Sequence, residues 1–236
     1  MTCMTQITLE NAPAVRAQGR LIVWASWGFL PLILMFTVGT ILIVQLAGAS
    51  LESEPVTRAD YDAIPGIAFR QAAVSWLLVL PMVLAAAGSV LAARRVGGVL
   101  RGLTITLWTV VVVATIVYAY CYTASSAFTT PTVMDDPYYQ ASMILFGFLV
   151  MPLSFIASAA TALCLRAEGI ALRGTRIVAG VAIAAGVLYA IARGIGEVPV
   201  PPAIVIGVWI PLGVWAVRAA KRALAADHSL VRASVR

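Results

Sequence analysis

The stretch LVLPMVLAAAGSVLAARRVGGVLRG, residues 78–102, decides how this chain is read, because most of it returns as LVMPLSFIASAATALCLRAEGIALRG at 149–174. Leu78, Val79, Pro81, Ala86 and Arg95 recur at one fixed offset as Leu149, Val150, Pro152, Ala157 and Arg166. After a single inserted residue, Gly97, Leu100, Arg101 and Gly102 recur as Gly169, Leu172, Arg173 and Gly174. Each copy is an apolar run suited to a membrane-crossing helix, interrupted by a proline and closed by a short Arg/Gly turn. The pattern predicts a membrane helix hairpin used twice. Convergence is the competing account, since Ala/Leu/Val-rich helices match by chance and Arg/Gly turns suit any cytoplasmic loop.

Outside this pair the composition points the same way. Hydrophobic residues make up 61% of the chain and charged residues 11%, and several apolar runs exceed the roughly 20 residues that cross a hydrocarbon core of about 30 Å. A soluble fold is excluded. The 236 residues have room for six spans with short loops and for no separate soluble domain. The expected fold is an all-α, six-transmembrane-helix bundle: a cytoplasmic N-terminal segment at 1–20, a membrane domain at 21–220 and a basic cytoplasmic tail at 221–236. The spans are expected at 21–48, 66–92, 103–125, between the loop 128–140 and Arg166, at 177–195 and at 203–220. The first run is longer than the roughly 7–15 residues of a signal-peptide core, so it is expected to remain as the first span.

Charge sets the expected orientation. The net charge is +6, but the bases sit in short clusters beside apolar runs, which fits membrane topology and not nucleic acid. On this map thirteen bases fall on one side, and Arg58, Arg70 and Arg193 on the other. The acidic segments 50–62 and 128–140 belong with the three. The positive-inside rule then places both termini in the cytoplasm of a multi-pass protein of the cell (inner or plasma) membrane, with the lipid bilayer as first partner. Cys3 and Cys164 fall on the inner side and Cys121 near the outer end of a span, so no disulfide is expected.

Pro31, Pro81, Pro152 and Pro211 lie inside the first, second, fourth and sixth spans. Each removes a backbone donor, so a carbonyl is left for a neighbouring helix, a side chain or water. Such helices line substrate paths in transporters built from repeats, although proline is also simply commoner in membrane helices than in soluble ones. The second, fourth and sixth spans run the same way, so hairpin units would be parallel repeats. Ala182, Gly186, Ala190 and Gly194 recur every four residues on one face of the fifth span, the small-xxx-small spacing of close helix packing. That face serves either an internal contact or a homo-oligomer.

Reactive chemistry is sparse. His228 is the only histidine and lies in the tail, Lys221 is the only lysine, and no Cys-x-x-C pair, G-x-S-x-G elbow or phosphate-binding Gly-Lys-Ser/Thr motif occurs. No catalytic residue, metal site or cofactor is expected, and the chain is read as a non-enzyme. No acidic residue lies in the middle of a span, which disfavours proton antiport. Charges and aromatics gather near the outer ends instead: Arg70, Arg193 with Glu197, Asp135 with Asp136, and Tyr118 with Tyr122 near Tyr138 and Tyr139. They form either an outward vestibule or an aromatic belt with interfacial ion pairs. Glu197 is the expected partner of Arg193, and Asp135 or Asp136 that of Arg70. Two functions stay open: a small transporter or the membrane subunit of a transport complex, and an accessory or regulatory protein bound to a membrane enzyme or assembly machine.

Overall fold

The computed structural model describes residues 57–63, 65–167 and 174–194. The expected first and sixth spans, with Pro31, Pro211, Glu197, Cys3 and both termini, lie outside the described residues. Within them the chain is helical; there is no strand, only one isolated antiparallel bridge between Thr57 and Thr132. Four helical stretches are long and apolar enough to cross a membrane: Ile67–Leu91, Val99–Ala127, Pro137–Cys164 and Thr175–Ala192. They correspond to the second through fifth expected spans.

Helix α1 (Arg58–Asp62) is a single turn held by a capping box, in which Thr57 and Asp60 satisfy each other's backbone N–H. Helix α2 (Ile67–Arg95) follows from Gly66 at φ 70° and stays helical through Pro81. Gly98, at φ 76°, turns the chain into α3 (Val99–Ala124). The following loop ends at Asp136, whose carboxylate accepts the N–H of Tyr139 as N-cap, with Pro137 in the first turn of α4 (Pro137–Ile144). Proline suits that place because its missing donor would be unpaired anyway. A π-wound segment, Leu145–Val150, joins α4 directly to α5 (Met151–Ala167), and α6 (Thr175–Gly194) completes the described chain.

The core lies between α2, α3, the π segment and α5, where Met82, Trp108, Val111, Tyr118, Val150 and Ala157 are buried together. A second cluster joins α5 and α6 through Met151, Phe155, Ala159, Ala162, Ala179 and Ala182. Large apolar side chains line the outside: Phe69 is 77% exposed, Leu188 65% and Leu80 59%. An exposed apolar surface of this kind is what lipid accommodates, so tight packing and interhelical hydrogen bonds hold the helices together. Ala182 and Gly186 face α5, so closely that a Cβ on Gly186 would sit 2.7 Å from the carbonyl oxygen of Pro152. Ala190 is half-buried, and Gly194 ends the helix.

Where both copies are described, some matched residues take different backbone settings. Gly102 matches Gly174 in sequence, yet Gly102 lies inside α3 while Gly174, at φ 89°, precedes α6. Pro81 lies within a continuous α-helix, whereas Pro152 is the second residue after the π winding. The turn of the second copy, residues 168–173, lies outside the described residues, and a repeated hairpin is not confirmed.

Candidate functional site

Two polar layers cross the helix interior, one at each end. At the end bearing the Arg/Gly turn, Trp108 of α3 donates its indole N–H to the Thr161 hydroxyl of α5 at 2.9 Å, and Thr161 lies 2.8 Å from the Ser89 hydroxyl of α2. Ser89 in turn donates to the Ala85 carbonyl at 2.7 Å, and Thr104 meets Cys164 at 3.3 Å. Hydroxyls four residues beyond a carbonyl satisfy themselves locally, so this seam pins three helices at low desolvation cost. Cys121 and Cys164 are both buried, and among the described residues neither is in a disulfide.

At the opposite end the two acidic loops meet. Arg58 forms an ion pair with Asp62 at 2.8 Å and donates to the Ser126 carbonyl at 3.1 Å. Its guanidinium also lies 5.3 Å from the Phe128 ring centroid. The Thr57 hydroxyl bonded to Asp60 holds that carboxyl below the usual range, while burial pushes the Tyr61 phenol up against the opposing pull of Arg58. Tyr61 donates to Gln71 at 2.7 Å, and Gln71 donates to the Tyr122 carbonyl and to Ser125. A polar strand thus enters the bundle from the loops.

It leads to an aromatic cluster. Tyr118 and Tyr122, one turn apart on α3, stack with centroids 5.6 Å apart and planes at 16°. Phe146 of the π segment approaches Tyr118 to 5.1 Å, and Tyr139 of α4 approaches Tyr122 to 6.3 Å. Tyr118 has no exposed surface, and its hydroxyl has no hydrogen-bond partner among the described residues. Of the tyrosines grouped from the sequence as a vestibule or a belt, Tyr118 is interior and Tyr138, 47% exposed, lies on the outer surface, where Tyr120, 59% exposed, also lies. Side-chain period decides this, since residues 118 and 120 lie about 200° apart around a helix.

The π winding belongs to the same site. Met151 N–H bonds the Phe146 carbonyl five residues back, and the next position is Pro152, which has no N–H for Gly147. The proline therefore leaves backbone acceptor capacity in the turn that carries Phe146 against Tyr118. Pro152 itself is buried.

The remaining predicted residues divide. Arg70 is exposed, and the pairing expected with Asp135 or Asp136 does not form: Asp136 caps α4, Asp135 accepts from Thr132 at 2.6 Å, and no ion pair reaches Arg70 among the described residues. Local capping wins because those partners are fixed by sequence neighbours. The Arg193–Glu197 pair lies outside the described residues. Gln71, Trp108, Ser89, Thr161 and Phe146 were not singled out from sequence; a polar residue inside an apolar run was the available signal, but not its partner. Among the described residues no cluster of His, Cys, Asp and Glu could hold a metal. Compared with protein-family profiles, curated proteins and solved structures, the chain matches none.

Proposed function

We propose that this membrane protein serves transport, as a small carrier or as the membrane subunit of a transport complex, and that the Tyr118 cluster is where it holds its guest. The carrying observation is the sealed, unpartnered Tyr118 hydroxyl. An unmet buried donor is unfavourable by roughly 1–3 kcal/mol, and such groups persist where they have a use. Its neighbours suit an adaptable pocket: a π turn, a buried proline and three further aromatic rings. A guest reaching it would carry a hydrogen-bond acceptor and an apolar or aromatic body. We read the chain as non-enzymatic, because nucleophile, base and metal ligands do not converge on the cluster.

The satisfied seam of Trp108, Thr161 and Ser89 favours the second reading, an accessory protein whose helices form a fixed scaffold. Purification from native membranes in mild detergent separates the two. A stoichiometric ATPase or extracytoplasmic binding protein is expected for transport; an enzyme or assembly machine in its place establishes the accessory role. Within a transport complex, Tyr118→Phe is expected to preserve folded yield and to lower substrate-dependent flux about tenfold, the scale of one lost hydrogen bond. Unchanged flux would remove Tyr118 from the site.

A further inference from the structure

An open groove of about 520 Å³ runs between α2 and α3, away from the aromatic cluster and toward the Arg/Gly turn. Small side chains make it concave: Ala86, Ala87 and Val90 of α2 form its floor, while Trp108 and Val113 of α3 form the opposite wall. At its end stands Arg94, exposed in the last turn of α2. Arg101, also exposed, lies just across the turn.

The charges here have no counter-ion on their own hairpin. No Asp or Glu occurs between Asp62 and Asp135, so α2, the turn and α3 carry Arg70, Arg94, Arg95 and Arg101 without one acid. Among the described residues neither Arg94 nor Arg101 forms an ion pair. A groove with apolar walls ending at a guanidinium that has no carboxylate partner among the described residues has the polarity of one kind of molecule, an apolar chain ending in an anion. Guanidinium binds phosphate bidentately, and basic pockets between membrane helices at the cytoplasmic face hold anionic headgroups.

We propose that the α2–α3 groove is a binding site for an anionic phospholipid of the leaflet that faces the Arg/Gly turn, with an acyl chain along Ala86, Ala87 and Val90 and the phosphate on Arg94. The site is independent of the transport reading, since it occupies other faces of the helices and serves a scaffold equally well.

The test uses the full chain purified in an uncharged detergent, with phosphatidylglycerol and phosphatidylcholine of identical acyl chains as probes. Phosphatidylglycerol is expected to bind saturably and raise Tm, with phosphatidylcholine weaker by about fivefold, the worth of one surface arginine. Arg94→Gln is expected to erase that preference, whereas Arg70→Gln, at the other end of α2, is expected to keep it. Ala87→Phe, which fills the groove from an exposed position, is expected to abolish saturable binding while leaving the lipid-free Tm unchanged. Equal binding of the two lipids, equal effects of the two arginine variants, or full binding by Ala87→Phe would each overturn the proposal. A lowered lipid-free Tm for Ala87→Phe would also overturn it, by showing that another part of the chain, or a second copy, fills the groove.

Discussion

At the residue scale the deciding groups are polar side chains inside an apolar environment, and their value depends on whether a partner exists. Thr161 accepts from Trp108 and meets Ser89, so removing its hydroxyl leaves the indole donor stranded; Thr161→Val is expected to destabilise the bundle by about 1–2 kcal/mol in reversible unfolding from detergent micelles. Tyr118 is the opposite case. With no partner to lose, Tyr118→Phe is expected to leave stability unchanged or to raise it by up to about 1 kcal/mol. A loss of stability would mean that the hydroxyl is bonded after all.

At the element scale the contact between α5 and α6 depends on one missing side chain. Alanine is favoured over glycine in a helix interior by about 1 kcal/mol, and Gly180, with nothing within 4 Å of an added Cβ, is expected to show that gain as Gly180→Ala. Gly186 inverts the sign. Its added Cβ would meet the Pro152 carbonyl at 2.7 Å and Ile156 at 3.1 Å, so the helices must separate. Overpacking of this kind is unfavourable by about 1–3 kcal/mol, and Gly186→Ala is expected to lower Tm where Gly180→Ala raises it. Two equal shifts would place the close contact elsewhere. Matched residues of the two sequence copies also differ in setting: Gly102 lies inside α3, while Gly174 has a positive φ before α6.

For the whole molecule, the loops around Thr57 and Thr132 lie at one end and the Arg94–Arg101 turn at the other, separated by helices of 29 and 26 residues. At 1.5 Å per residue those helices reach about 40 Å, enough to cross a bilayer. Asp135→Cys and Arg101→Cys, made singly without Cys3, Cys121 and Cys164, are therefore expected to differ with an impermeant thiol reagent. Asp135→Cys is expected to react in intact cells and Arg101→Cys only after lysis. Reaction of both in intact cells would overturn the orientation.

The sequence by itself determined where helices run and what surrounds them, because hydropathy, caps and turn residues act through near neighbours. The Arg/Gly turn before α3 and the absence of acids beside its arginines are legible there, whereas the Asp136 cap that starts a helix inside the expected loop 128–140 was not read. Which face of each helix turns inward was decided only by the tertiary structure. In a chain this apolar nearly every face is greasy, so periodicity does not separate lipid from core, and the choice falls to small-residue fit and to hydrogen bonds between distant spans. That is why Tyr118 proves to be interior and Tyr120 exterior, why Ser89, Trp108 and Thr161 meet across three helices, and why Arg70 stands apart from the acids expected to hold it.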